Sequence, residues 1–169
     1  MTSVFFIRHG IAAERGTYTN DGDRPLTDKG ITKTQRIAQR CYDLGIRADL
    51  ILSSPLVRAQ QTADILKAER LAEEIQSSDA LAPEGSIIHW LEWLNHWQPG
   101  SYNALIIVGH QPDLGHWAER LVWGESAGRL VVKKAGIIGV DISRIDSPIG
   151  TSELFLLTPP RYFIETFSN

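Results

Sequence analysis

Two short apolar segments of this chain each end abruptly in a histidine beside a glycine. One run, VFFI, leads into Arg8-His9-Gly10, and the other, ALIIV, leads into Gly109-His110. Runs of β-prone apolar residues predict strands that are buried on both faces. Because an unpaired charge inside such a strand is heavily penalised, each strand must stop where the polar residues begin. We therefore expect both histidines at the carboxyl edge of a sheet, where ligands bind in open α/β folds.

The remaining segments alternate between helix-like and strand-like patterns. Helices are expected from Thr27 to Gly45, from Pro55 to Ala68, from Ser86 to Trp97 and from Pro112 onward. Further strands are expected at 50–52, 75–77, 135–142 and 152–157. The alternation predicts a layered α/β fold, and a hairpin of the last two strands would make the mainly parallel sheet mixed.

Composition narrows the class of protein. The 169 residues are 43% hydrophobic and 22% charged, as in an ordinary soluble globular domain. The net charge of −3, without a basic run that carries aromatic residues, argues against a nucleic acid partner. The single cysteine, Cys41, excludes an intrachain disulfide and a cysteine-rich metal site. With neither a signal peptide nor an apolar segment of about 18 residues, we expect a cytoplasmic protein that does not use a membrane.

Four polar side chains are expected at the same edge of the sheet. Arg8 and His9 follow the first strand, Arg58 lies in the first turn of the helix after the second, and His110 follows the fourth. Two guanidiniums match a dianionic phosphoryl group better than two lysines would. An imidazole between cations has a lowered pKa and can act as a nucleophile. The alternative is that these strands simply end in polar residues at the surface.

The motifs, taken together, resemble a known family. They are Arg8-His9-Gly10, Arg24-Pro25-Leu26-Thr27, the segment 53–62 (SSPLVRAQQT) and the segment 108–114 (VGHQPDL). Their order and spacing resemble those of the histidine phosphatase superfamily, which includes the phosphoglycerate mutases, and within it the SixA-type phosphohistidine phosphatases. The resemblance implies a three-layer α/β/α sandwich of the phosphoglycerate mutase type. The length fits one domain over residues 1–169, and we expect no capping domain because no large insertion lies between the second strand and His110.

The resemblance implies a reaction as well. His9 would be the nucleophile that forms a phosphoenzyme, and Arg8, Arg58 and His110 would hold the phosphoryl oxygens. Arg24 would contact the phosphate or only brace its loop. No metal and no cofactor are expected, and the substrate would be phosphohistidine on a signalling protein. A small-molecule phosphomonoesterase and a noncatalytic phosphate-binding module remain alternatives.

The general acid is open at this stage. Glu84 matches the region where mutase-like relatives keep a glutamate, and Asp113 competes with it, although complementing a helix N-terminus also explains Asp113. A ring-protonated phosphohistidine leaves as neutral imidazole, so the reaction would need neither carboxylate.

Three other features have simpler interpretations. Trp90, Trp93 and Trp97 lie at helical spacing, which favours core packing over an exposed ridge that grips a protein. Cys41 lies on an apolar stripe and is interpreted as a small core residue. The pair Lys133-Lys134 is interpreted as a surface pair.

Overall fold

The computed structural model of this protein describes residues 1–164, which fold around one six-stranded sheet. The strands are β1 (Thr2–Arg8), β2 (Leu50–Ser53), β3 (Ile75–Ser77), β4 (Ala104–Gly109), β5 (Ile137–Ile142) and β6 (Glu153–Thr158). Their order in the sheet is β3-β2-β4-β1-β5-β6. Strands β1 to β4 are parallel, and β5 runs antiparallel to both of its neighbours. The predicted mixed, mostly parallel sheet is confirmed.

Helices cover both faces of the sheet. They are α1 (Asp28–Asp43), α2 (Val57–Ala68), α3 (Ile87–His96), α4 (Asp113–Trp123) and the short α5 (Arg161–Ile164). Thr27 caps α1, because its Oγ1 accepts the N–H of Gly30 at 3.0 Å. Helix α2 begins two residues later than predicted, since Leu56 keeps an extended backbone (ψ 139°) as the residue that precedes the helix.

The sheet separates two apolar cores because successive side chains of a strand point to opposite faces. Phe6 and its alternate neighbours pack with α3 and α4, whereas Ile7 packs with α1 and α2. Trp90 is fully buried against Phe6 and Trp117, as predicted. Trp93 and Trp97 are only partly buried and stack on each other, with ring centroids 5.9 Å apart. Cys41 is fully buried in the second core, also as predicted.

Strand register determines what stands at the carboxyl edge. Arg8 pairs with Gly109 across β1 and β4, and Ser53 pairs with Val108 across β2 and β4. The residues that directly follow these three strands, His9, Ser54 and His110, therefore emerge side by side. This places the groups predicted from three distant segments at one location.

Within residues 1–164, no helix has both the length and the apolar character needed to cross a membrane.

Candidate functional site

His9 lies at the end of β1 and is held by backbone groups. Its N–H donates to the Gly109 carbonyl at 3.1 Å, and its Nδ1 lies 2.7 Å from the carbonyl of Gly10. A carbonyl only accepts hydrogen bonds, so Nδ1 carries the proton and Nε2 keeps its lone pair. A Cβ on residue 10 would lie 2.5 Å from the Thr34 hydroxyl, which explains why glycine follows the histidine.

His110 faces His9 across a short gap. The two ring centroids are 5.1 Å apart, and the rings are inclined by 54°. The Nε2 atom of His110 lies 2.8 Å from the hydroxyl of Ser54, at the end of β2. Both imidazoles are buried, with 6% of His9 and 4% of His110 exposed. Three strand ends thus contribute to one pair of rings.

Burial and nearby cations keep both rings neutral at pH 7. Burial, with smaller effects of His110, Arg58 and Arg8, lowers the pKa of His9 to about 3, although the hydrogen bond to Gly10 opposes them. Burial likewise lowers the pKa of His110 to about 4, with Arg58 and Arg8 as the next causes. A neutral imidazole with a free nitrogen is what nucleophilic attack requires.

Protein acceptors hold the arginines in place. NH1 of Arg8 donates to the Val132 carbonyl at 2.9 Å. One carboxylate, that of Asp21, accepts from Arg24 Nε at 2.7 Å and from Arg58 NH2 at 3.1 Å. The hydrogen bond from Arg24 is the largest cause that lowers the pKa of Asp21. Asp21 thereby links the two guanidiniums, so Arg24 does brace its loop.

A cavity of about 340 Å³ brings these groups together at the carboxyl edge, and we call it the carboxyl-edge cavity. It is lined by Arg8, His9, Ala12, Ala13, Glu14, Arg15, Arg24, Arg58, Pro83, His110, Gln111 and Lys134. All five residues predicted to meet the phosphoryl group are present, together with two further cations. The arrangement can bind a compact dianion next to an unprotonated imidazole nitrogen.

Neither carboxylate suggested as a general acid lines this cavity. Glu84 is exposed and adopts a left-handed backbone (φ 63°), and its N–H donates to Asp113 Oδ2 at 2.9 Å. Burial raises the pKa of Asp113, which also lies outside the lining of the carboxyl-edge cavity. The cavity is lined instead by Pro83, next to Glu84 in the chain, and by Glu14 from the loop that follows β1. Glu14 is the one carboxylate in the lining.

Sequence reasoning missed a buried glutamate that organises the loop after α4. Glu119 is 1% exposed and accepts hydrogen bonds from the Ser126 hydroxyl and from the backbone N–H groups of residues 127–130. Burial alone would raise its pKa, yet these donors, that of Leu130 foremost, lower it to about 2. The loop continues to Val132, the acceptor for Arg8. The sequence did contain a signal for this role, because Glu119 lies on the apolar face of α4, where a carboxylate needs hydrogen-bond donors.

Lys134 was also misjudged. Lys133 is exposed, as expected of a surface pair, but Lys134 is half-buried and lines the carboxyl-edge cavity. The pair is therefore split, because the chain turns sharply at this point.

In the part of the chain that the structure describes, no group of three or more histidine, cysteine, aspartate or glutamate side chains could hold a metal ion.

Comparison with known proteins gives a consistent picture. The sequence profile of the histidine phosphatase superfamily (branch 1) matches residues 4–84. An uncharacterized protein of Picosynechococcus sp. is 48% identical over 163 residues, which are 95% of this chain and 98% of that protein. The mitochondrial serine/threonine-protein phosphatase Pgam5 of Drosophila willistoni is 35% identical over 97 residues, 54% of this chain and only 33% of its own length.

The fold is shared with a solved structure. The protein histidine phosphatase SixA, complexed with tungstate, superposes with a TM-score of 0.82 at 22% identity, covering 95% of this chain and 99% of that one. At this identity the likeness concerns the fold. Together with the sequence match over the segments that carry Arg8, His9 and Arg58, it leads to one conclusion: the chain belongs to the histidine phosphatase superfamily, branch 1.

Proposed function

We propose that this protein is a metal-independent phosphatase in which His9 forms a covalent phosphoenzyme. The observation that carries the proposal is the hydrogen bond from His9 Nδ1 to the Gly10 carbonyl at 2.7 Å. It fixes the tautomer in which Nε2 is the free nitrogen. With a pKa of about 3, the ring stays unprotonated at pH 7, so Nε2 is available to attack phosphorus.

The reaction has two steps. First, the bond from Nε2 to phosphorus forms while the bond from phosphorus to the leaving group breaks. The Nδ1 proton stays on the ring, so the phosphorylated imidazole is a cation. Water then attacks phosphorus, the bond to Nε2 breaks, the neutral imidazole returns, and both water protons remain on the released dihydrogen phosphate. The cationic ring makes this second departure easy.

The other groups of the carboxyl-edge cavity stabilise the transferring phosphoryl group. Arg8 and Arg58 carry positive charge to its oxygens, and Arg24 adds a third guanidinium. Their Nε–H groups support this role, since those of Arg8 and Arg58 are buried without an acceptor in residues 1–164. The Ser54 hydroxyl can donate to Nε2 of His110. The proton of the neutral ring then lies on Nδ1, which can donate to a phosphoryl oxygen.

The substrate that we propose is phosphohistidine on a signalling protein. A ring-protonated phosphohistidine leaves as neutral imidazole, and this suits a cavity that neither Glu84 nor Asp113 lines. Residues 54–103, between β2 and β4, form α2, β3 and α3. Strand β3 belongs to the sheet, and the two helices pack on it. We accordingly propose one domain without a capping insertion, open enough for a protein-borne phosphate. The similarity of fold to SixA supports the same choice.

A phosphate ester is the second candidate, and Glu14 favours it. An alkoxide leaving group needs a proton, and Glu14 is the carboxylate that lines the cavity. The name of the Drosophila relative, a serine/threonine-protein phosphatase, points to such a substrate. Glu14→Gln and Glu84→Gln should be compared on a phosphohistidine peptide and on an alkyl phosphate. A higher wild-type kcat/KM on the alkyl phosphate, with a loss in Glu14→Gln, would favour ester hydrolysis. A higher kcat/KM on the peptide, unchanged in both variants, would support the phosphohistidine assignment.

The central test is His9→Ala. We expect turnover of a phosphohistidine peptide to fall to background, together with the acid-labile label that wild-type protein acquires from radioactive substrate. His96→Ala is the matched control, because His96 is exposed on α3 and lies outside the carboxyl-edge cavity. Retained turnover, or an unchanged label in the His9 variant, would contradict the proposal. Circular dichroism should be used to check that both variants are folded.

A further inference from the structure

Lys134 occupies a turn that is tied directly to the end of β1. The N–H of Ala135 donates to the Arg8 carbonyl at 3.0 Å, and the N–H of Arg8 donates to the Gly136 carbonyl at 3.2 Å. Within the turn, the Gly136 N–H donates to the Lys133 carbonyl at 2.7 Å. Ala135 is buried and adopts a left-handed backbone (φ 59°), a conformation that costs an alanine free energy. The fold therefore maintains a strained turn that fixes Lys134 beside the cavity.

The ammonium group of Lys134 differs from the guanidiniums around it. Arg8, Arg24 and Arg58 all donate to protein acceptors. Within residues 1–164, Lys134 forms no ion pair and no side-chain hydrogen bond, and the same is true of Arg15. Burial is the largest cause that lowers the pKa of Lys134, and repulsion from Arg8, Arg24 and Arg15 lowers it as well. The cations that line the cavity therefore interact electrostatically with one another.

A single phosphoryl dianion does not account for this amount of positive charge. Arg8, Arg24 and Arg58 already supply three guanidiniums, of which Asp21 neutralises part of the charge. Arg15 and Lys134 add two cations to the same lining, against one carboxylate, Glu14. Unpaired cations that share a cavity repel one another, and an anionic ligand relieves that repulsion.

We propose that Lys134 and Arg15 form a second anion subsite, which selects substrates that carry a carboxylate close to the transferred phosphoryl group. This inference rests on the proposed function in one respect: it takes the anion bound by Arg8, Arg24 and Arg58 to be the transferred phosphoryl group. Two sources have this chemistry: an acidic side chain that flanks a phosphorylated residue, and a small phosphate ester with its own carboxylate.

The test uses phosphonates, whose P–C bond the proposed reaction does not cleave. Dissociation constants of three ω-carboxyalkylphosphonates, with one to three methylenes, are compared by calorimetry with those of the matching carboxamides. For at least one length, wild-type protein should bind the carboxylate about five- to tenfold more tightly than the carboxamide. Lys134→Gln and Arg15→Gln should each reduce this ratio towards one. Lys133→Gln, the same charge change one residue away on an exposed side chain, should leave it unchanged.

Three results would overturn the subsite: no carboxylate preference at any length, a preference that survives in Lys134→Gln, or equal weakening of both ligands, which would make Lys134 a phosphoryl ligand. Phosphohistidine peptides with Glu or Gln beside the phosphorylated residue identify the source. A Glu preference that Lys134→Gln removes assigns the carboxylate to the protein chain, whereas a preference limited to the phosphonates assigns it to a small ester. Binding of phosphonates needs no turnover, so failure of the His9 test would leave these ratios interpretable.

Discussion

The two ends of the sheet carry cavities of similar size that are both lined by cations, yet they are built differently. The carboxyl-edge cavity measures about 340 Å³, and a second cavity of about 400 Å³, here the amino-edge cavity, lies at the opposite end. The latter is lined by Tyr42, Arg47, Ala48, Lys67, Arg70, Leu71, Ala72, Glu73 and Tyr102. Each cavity thus gathers three or more cations.

The partners of these cations separate the two cavities. At the amino edge, Arg47 stacks 3.4 Å above the ring of Tyr42 and donates to the carbonyls of Tyr42 and Ile46, and Arg70 lies 4.6 Å from the same ring. At the carboxyl edge, the guanidiniums of Arg8 and Arg58 keep buried Nε–H groups that find no acceptor among residues 1–164, beside two neutral imidazoles. Unsatisfied buried donors are costly, and those of Arg8 and Arg58 lie at the site that the strand ends build, whereas Arg47 at the amino edge is satisfied by protein groups.

The largest expected difference between the two cavities is in catalysis. Arg58→Gln should lower kcat/KM by about 10³-fold, or about 4 kcal/mol, because it removes a charged donor from the transferring phosphoryl group. Arg47→Gln, which removes an arginine from the amino-edge cavity, should change kcat/KM less than twofold. Steady-state kinetics with a phosphohistidine peptide measures both. Similar losses in the two variants would show that both arginines act through stability and that the carboxyl-edge cavity has no special role in catalysis.

The next effect is the dependence of stability on pH. Below pH 6.5 the unfolded chain binds protons at His9 and His110, whereas the folded chain resists protonation until about pH 3 and pH 4. The free energy of unfolding should therefore fall as pH falls, by about 1.4 kcal/mol for each histidine over the whole range from pH 7.5 to 5.5, or about 3 kcal/mol for both. The amino-edge cavity has no histidine in its lining and should contribute nothing to this slope.

Urea unfolding at a series of pH values measures this dependence. The double variant His9→Asn/His110→Asn should flatten the slope over that range, while His89→Gln, an exposed histidine on α3, should preserve it. A double variant that keeps the wild-type slope would mean that folding does not lower the pKa of the two rings, and it would remove this support for a neutral nucleophile.

A smaller effect is expected at Glu119, which supports the carboxyl edge from behind. Glu119→Gln replaces an acceptor of five hydrogen bonds by an amide with one acceptor oxygen, and it should lower the free energy of unfolding by about 2 kcal/mol at pH 7. The pKa of Glu119 is lowered to about 2, so this contribution is present above about pH 4.5 and is lost as pH falls towards 2.

The same variant also tests how Arg8 is positioned. Since the loop that Glu119 holds leads to Val132, the acceptor for Arg8, kcat/KM should fall about fivefold. Glu125→Gln, an exposed glutamate that precedes this loop, is the control and should alter neither quantity. A destabilised Glu119 variant with unchanged kcat/KM would confine the residue to a role in folding.

The arrangement of the carboxyl edge was predictable because each of its main residues follows a strand. A buried strand cannot contain Arg8 and His9, and a parallel sheet places the ends of β1, β2 and β4 together. Composition and spacing therefore sufficed for Arg8, His9, Arg58 and His110, whose side chains line one cavity. Their catalytic roles remain predictions that the variants above test.

The parts that escaped prediction depend on loop conformation. Asp21 links Arg24 and Arg58 only because its loop folds back over α2, and Lys134 reaches the cavity only because Ala135 adopts a left-handed backbone. The placement of Glu84 outside the cavity lining is likewise a property of a loop, in which its backbone adopts φ 63° and its side chain is exposed. Hydrophobic periodicity carries no information on such turns, because it reports burial along regular elements.

The smallest expected effect is on stability and concerns Tyr42 in the amino-edge cavity. Tyr42→Leu removes the ring on which Arg47 and Arg70 lie, and it should lower the free energy of unfolding by about 1 kcal/mol. Tyr42→Phe keeps the ring and should lower it by less than about half of that amount, since no side-chain hydrogen bond of the Tyr42 hydroxyl is formed within residues 1–164. Urea unfolding measures both variants. Their kcat/KM should stay within twofold of wild type, because Arg47 and Arg70 pack on a protein ring and lie outside the carboxyl-edge cavity. A larger change in kcat/KM for Tyr42→Leu would mean that the two edges are coupled through the sheet, and the distinction between satisfied and unsatisfied cations would no longer separate structure from function.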